Sequence, residues 1–143
     1  MKYRYEVPGD DFSLAGRASS EMKKILRSLG ASSGVIKRVA VVMYEAEINM
    51  VVHAGGGVAE VEIGSDSISM VMRDEGPGIP NLDLAMTEGW STAPEWVREL
   101  GFGAGMGLSN MKRNADELSI DSVVGKGTTV RMRVDFPVAG FGA

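Results

Sequence analysis

The sequence predicts an α+β sandwich, one sheet with helices packed on one face. Three observations lead there. Two stretches, 12–29 and 35–54, carry apolar residues at helical spacing. Two pairs of short strand-like runs are each joined by a glycine-containing turn, at Gly64-Ser65-Asp66 and at Gly125-Lys126-Gly127. The resulting order of elements is β, α, α, β, β, an irregular stretch, then α, β, β. At 143 residues, size favours a single domain spanning 1–143.

The elements follow in chain order. Lys2 to Val7 alternates large and charged residues and is stopped by Pro8-Gly9, which reads as a strand. Asp10 or Asp11 would cap a helix running to about Leu29, with Phe12, Ala15, Ala18, Met22, Ile25, Leu26 and Leu29 on its apolar side and Gly30 as its stop. That apolar side is compatible either with the core or with pairing of two protomers. Ser32 or Ser33 would cap a second helix over Val35 to Ala54, closed by Gly55-Gly56-Gly57. Val58–Ile63 and Ile68–Met72 read as a hairpin. From Arg73 to Gly107 the pattern is broken by Gly and Pro, with short helical pieces near Leu82–Met86 and Pro94–Leu100. Leu108 to Asp116 reads as a helix, Leu118–Val123 and Thr128–Phe136 as a second hairpin, and Val138–Ala143 as a frayed tail.

Composition excludes several classes. There is no cysteine, so no disulfide framework or thiolate metal site; a single histidine makes a histidine-rich zinc site implausible. The net charge of −4 gives no basic footprint for nucleic acid. No leader-like or membrane-spanning apolar run is present, so a cytoplasmic location with no membrane partner is expected.

The 19 glycines are about twice the usual share of ~7%. Gly76, Gly78, Gly89, Gly101, Gly103, Gly105 and Gly107 all fall in or beside the irregular stretch, and a long irregular stretch inside a compact domain usually binds something. The string Gly101-Phe-Gly-Ala-Gly-Met-Gly107 runs straight into a helix. Glycines there admit close approach of backbone N–H groups to a ligand, and the unpaired N–H groups of the helix start attract phosphate. Neither GxxxxGK[ST] nor GxGxxG occurs there, so two common phosphate motifs are excluded.

Two further patterns accompany it. Asp74-Glu-Gly-Pro-Gly-Ile-Pro80 follows a strand directly: Asp74 either accepts a hydrogen bond from an exocyclic amine in a pocket or simply starts a turn. Glu45, Asn49 and His53 stand at i, i+4 and i+8 along one side of the second helix, beside an apolar stripe of Val39, Val42, Met43, Ala46 and Met50. That polar line is either a solvated helix edge or a cleft wall, where Glu45 suits a base and Asn49 suits a hard cation such as Mg²⁺.

In this order the residues resemble the boxes of the GHKL (Bergerat-fold) ATP-binding superfamily. Glu45-Ala-Glu-Ile-Asn49 with His53-Ala54 resembles the N-box, Asp74-Glu-Gly-Pro-Gly78 the G1 box, Gly103-Ala-Gly-Met-Gly107-Leu the G2 box, and Gly125-Lys-Gly-Thr128-Thr129 the last box. Each is weak alone; the ordered set is specific. Glu88-Gly-Trp-Ser-Thr92 and Met111-Lys-Arg113 are similar to the bacterial anti-sigma-factor serine/threonine kinases of partner-switching pathways.

The resemblance implies a Bergerat-type sandwich with a mixed, largely antiparallel sheet, and ATP and Mg²⁺ as cofactors. It implies Glu45 as the catalytic residue that orients or deprotonates a Ser or Thr hydroxyl of a partner protein, and Asn49 as the Mg²⁺ ligand. Asp74 would read the adenine amine. Gly76, Gly78 and Ile79 would lie about the ring, with His53 nearby. Gly103, Ala104, Gly105, Met106, Gly107 and Leu108 would wrap the phosphates. Thr128 would add a hydroxyl near the adenine, with Thr129 the alternative. Residues 81–102 would form a lid carrying Trp90 and Trp96, with Arg98 as a γ-phosphate contact. The implied partner is an anti-sigma antagonist protein, together with a sigma factor or a phosphatase, and dimers are common in such families. The other reading is a non-catalytic ATP-dependent switch, or an ATPase module of another complex.

Overall fold

The computed structural model describes residues 1–9, 12–79 and 107–137. The Asp10 and Asp11 cap, the lid with Glu88, Trp90, Trp96 and Arg98, the glycine string up to Met106, and the tail from Val138 lie outside the described residues. Strand β1 (Lys2–Pro8) is followed by a single 3₁₀ turn (Phe12–Leu14), helix α1 (Arg17–Ser28), helix α2 (Ser33–Ala54) and the hairpin β2 (Gly56–Ile63) and β3 (Ser67–Asp74). Helix α3 (Gly107–Asn114) and the hairpin β4 (Glu117–Val123) and β5 (Gly127–Asp135) complete the described chain.

The five strands form one sheet in the order β1-β2-β3-β5-β4, and each of its pairings is antiparallel. The expected parallel contribution is therefore absent among the described residues. Alternation sets the two faces. Ala59, Val61, Ile63, Ile68, Met70, Met72, Val130, Met132 and Val134 point to the helices and are buried. The residues between them, among them Glu60, Arg73, Asp121 and Arg131, lie on the other face and pair as ions: Arg73 with Glu60, and Arg131 with Asp121 at 2.8 Å. Acidic and basic partners interleaved in this way make that face polar.

Helix α2 lies centrally, touching α1, α3 and the strands beneath. Its side chains Val35, Val39, Val42, Met43, Ala46 and Met50 are buried, as the sequence periodicity requires. The apolar side of α1 joins the same core through Ala18, Met22 and Leu26, with Ile25 packed against it and Leu29 exposed. Methionine fills much of this core, at positions 22, 43, 50, 70, 72, 111 and 132, where an unbranched side chain adapts to irregular gaps.

Two boundaries differ from the sequence expectation. Helix α1 starts at Arg17 rather than near Asp10, because Gly16 takes φ 89° and breaks the helical path. Its own cap residue offers no side-chain bond to the first turn. The carboxylate of Glu47, on α2, supplies it instead, accepting the backbone N–H groups of Gly16, Ala18 and Ser19 at 3.0–3.1 Å. At the other end of α2 the cap does follow expectation at its start: Ser32 accepts the N–H of Val35 at 3.3 Å.

The second difference explains the glycine triplet. Gly55 is the left-handed cap of α2 at φ 72°, whereas Gly56 and Gly57 already belong to β2, opposite Pro8 and Val7 of β1. A Cβ on Gly57 would stand 2.2 Å from the Arg73 carbonyl oxygen and 2.4 Å from the Met50 side chain. The strand is squeezed between β3 and α2 as it leaves the helix, and only glycine fits.

Candidate nucleotide site

Three of the four motifs meet at the end of the sheet where β3 and β5 run out beneath α2 and α3. Alternation decides which side chains face the site. Asp74 at the end of β3 is opposite Thr128 of β5, and Thr128 is opposite Ser122 of β4. All three point to the helix side. Thr129 pairs with Arg73 and Asp121, on the ion-paired face, so of the two threonines Thr128 alone belongs to this group.

Asp74 is held tightly. Its Oδ1 accepts the N–H of Gly76 at 2.9 Å and the N–H of Thr128 at 3.1 Å. Among the described residues Oδ2 carries no such bond and remains able to accept from a ligand. Gly127, just before Thr128, must be glycine: a Cβ there would stand 2.1 Å from the Asp74 carbonyl oxygen. The loop after Asp74 is tied to the β4–β5 turn by the Gly125 N–H donating to the Pro77 carbonyl at 2.9 Å. Ile79 donates its N–H to Ser122 Oγ at 2.7 Å, and Ser122 Oγ stands 2.9 Å from Thr128 Oγ1. Gly78, at φ 80°, packs against the backbone of Val123 and Val124.

Glu45 and Asn49, one turn apart on α2, converge on the start of α3. A Cβ on Gly107 would meet Glu45 Oε2 at 3.1 Å and both polar atoms of the Asn49 amide at 3.2 Å. Carboxylate and amide therefore lie over the first residue of α3, where N–H groups have no partner within the helix. Glu45 is partly buried, and burial raises its pKa; a hydrogen bond from Asn110 Nδ2 at 3.4 Å opposes this. Its carboxylate is thus a stronger base than a solvated one.

His53 occupies the last turn of α2, with its pKa lowered by burial, so its imidazole is neutral at pH 7. Gly76 packs on the next residue, Ala54, where a Cβ would come within 2.6 Å. Leu108 is 8% exposed, its side chain packed in the core. Gly103, Ala104, Gly105 and Met106 lie outside the described residues.

Residues 34–138 match the family described as histidine kinase-, DNA gyrase B-, and HSP90-like ATPase. The chain belongs to this family. It is an ATP-binding GHKL protein. It is 30% identical over 113 residues to the serine/threonine-protein kinase RsbT of Bacillus subtilis (strain 168), covering 76% of this chain and 79% of that protein. It is 34% identical over 101 residues to an anti-sigma F factor of Pasteuria penetrans, covering 66% of this chain and 64% of the relative. The mycobacterial sensor histidine kinase MprB has the same fold, with TM-score 0.51 at 17% identity over 95% of this chain and 98% of that one.

Sequence reasoning missed three participants. Ser122 stands at an inward position of β4, two residues after Ile120, and a polar residue in that register is the signal it left. Glu47 stands at i+4 from Met43, inside the apolar stripe of α2, where an acid needs a buried partner. Asn110, which reaches Glu45 from α3, left no signal that spacing could expose.

Proposed function

We propose that this chain is an ATP-dependent protein serine/threonine kinase of the partner-switching kind, which transfers the γ-phosphate of ATP to a Ser or Thr of a small antagonist protein in an anti-sigma system. The observation that carries this reading is the placement of Glu45 and Asn49 together over Gly107. It puts a carboxylate of raised basicity beside a metal-ligating amide at a helix start suited to phosphate.

Each residue has a task that its surroundings support. Asp74 Oδ2 accepts from the exocyclic amine of adenine, directly and through water, while the two N–H groups on Oδ1 hold the carboxylate's orientation. Thr128 presents its hydroxyl beside it, and Gly76, Gly78 and Ile79 lie about the ring with His53 near the same end of α2. Gly107 and the preceding glycines surround the phosphates.

Among the described residues no group of three or more His, Cys, Asp or Glu is placed to hold a metal by itself. That fits Mg²⁺, which arrives with nucleotide phosphates and takes few protein ligands. Asn49 would hold it, and bound there it would neutralise phosphate charge. Glu45 would orient the acceptor hydroxyl and take its proton. Phosphoryl transfer asks for little more than this positioning and charge neutralisation.

Among the described residues no helix is long and apolar enough to cross a membrane, and we place the protein in the cytoplasm as one domain over 1–143 with a lid near 81–102. The test is incubation with γ-labelled ATP and a candidate antagonist. Label should appear on a Ser or Thr of the antagonist, and Glu45→Ala should bind ATP without transferring. A wild-type protein that binds ATP but leaves every antagonist unlabelled is a switch, not a kinase.

A further inference from the structure

Ser122 forms the middle of a hydrogen-bonded chain that ends at Thr128. Its Oγ accepts the Ile79 N–H at 2.7 Å. Its single proton then has two acceptors within reach, Thr128 Oγ1 at 2.9 Å and the Gly127 carbonyl oxygen at 3.5 Å. The shorter of these is an ordinary hydroxyl hydrogen bond and the longer is at the limit of one. With the Ser122 proton on Thr128 Oγ1, the Thr128 proton is left to point away from Ser122. A chain N–H to O–H to O–H also polarises each successive donor in the same sense. Thr128 is only 8% exposed, so solvent competes little for that proton.

We propose that Ser122 is a positioning residue that makes Thr128 a hydrogen-bond donor toward the base, and so helps the site select an adenine over a 6-oxopurine nucleotide. The proposal rests on the adenine-reading role given to Asp74 and Thr128 above. An adenine edge has an acceptor at N1 and a donor at the 6-amine. Thr128 as donor and Asp74 as acceptor complement it. A 6-oxopurine reverses both, with N1–H a donor and O6 an acceptor, so each group meets its own kind. With Ser122 donating to it, Thr128 does not spend its own proton on Ser122 and keeps it for the base, where adenine N1 accepts it and the N1–H of a 6-oxopurine does not. Ile79 contributes its N–H, which occupies one Ser122 lone pair, and in the proposed arrangement the Ser122 proton goes to Thr128 Oγ1, the nearer of its two acceptors.

The experiment is calorimetric titration of the full chain with ATP and with inosine triphosphate, for wild type, Ser122→Ala, Ser122→Thr and Asp74→Asn, each shown folded by circular dichroism. Ser122→Ala should lower the ATP-to-ITP affinity ratio about fivefold, the scale of one neutral hydrogen bond, with ATP weakened and ITP unchanged or tightened. Ser122→Thr, which keeps the hydroxyl, should restore the ratio. If Ser122→Ala weakens both nucleotides equally, or leaves the ratio at the wild-type value, Ser122 is only structural and the proposal fails. Failure of Ser122→Thr to restore the ratio also overturns it. Asp74→Asn separates the two layers: wild-type ATP affinity in that variant removes the adenine reading itself, whereas lost affinity alongside an unchanged Ser122→Ala ratio removes only the role of Ser122.

Discussion

Glu47 Oε1 accepts the backbone N–H of Ser19 at 3.1 Å, from a carboxylate that is 1% exposed. With its other oxygen bonded to Gly16 and Ala18, this side chain of α2 caps α1 from outside. Glu47 stands between Glu45 and Asn49 in sequence but faces the opposite way, so one turn of α2 joins the site to the first helix. Glu47→Ala should cost about 2–4 kcal/mol of stability by stranding two buried donors and one part-buried donor at a helix start. Urea unfolding measures this, and a loss under ~0.5 kcal/mol would show that water replaces the cap.

Gly107 is confined by the polar side chains of Glu45 and Asn49 rather than by core. Gly107→Ala should leave the unfolding midpoint nearly unchanged and slow phosphoryl transfer by about ten- to a hundredfold, because its methyl displaces the Glu45 and Asn49 side chains. Transfer rates at saturating ATP test it; a wild-type rate would mean that neither group is needed where it stands.

Asp74→Asn replaces an acceptor oxygen by either an amide donor or a neutral acceptor, while the bonds to Gly76 and Thr128 can survive. ATP affinity should fall by about a hundredfold or more, since a part-buried site built to accept rejects a mismatched donor strongly. Titration with ATP and Mg²⁺ reads this directly.

Glu45 has its pKa raised by burial from an ordinary value near 4.5, so its charge opposes folding. The native state pays for that charge above the unfolded pKa and not below it. Glu45→Gln should therefore melt higher than wild type at pH 7, and the difference should shrink to nothing as pH falls below about 4.5. Transfer should be lost in the same variant. Melting curves across pH 3.5–8 that run parallel would refute the burial argument.

Helices, hairpins and their turns were legible because each is written in local periodicity: the apolar stripe of α2, the alternation in β2 and β5, the glycine at Gly125. The four motifs were legible through their resemblance to the family's boxes, while spacing along α2 alone puts Glu45 and Asn49 on one side. The start of α1 was not, because an acid at Asp10 or Asp11 is a plausible local cap and the cap in use, Glu47, comes from another helix. Nor was the use of Gly56 and Gly57: Gly56 is crowded by the backbone of Val7 and Gly9, and Gly57 by Arg73 and Met50, only once β2 is paired in the sheet beneath α2.

The sequence by itself determined most of the elements, the family boxes and the proposed kit of Glu45, Asn49, Asp74 and many glycines. The tertiary structure decided which of these act together. Placing β5 beside β3 puts Thr128 and not Thr129 against Asp74, since neighbouring residues of a strand face opposite ways. Packing α3 on α2 brings Gly107 beneath Glu45 and Asn49, and pairing β4 with β5 brings Ser122 to Thr128. Strand order and helix packing are long-range choices, made by burying the apolar faces in one core, and no local pattern contains them.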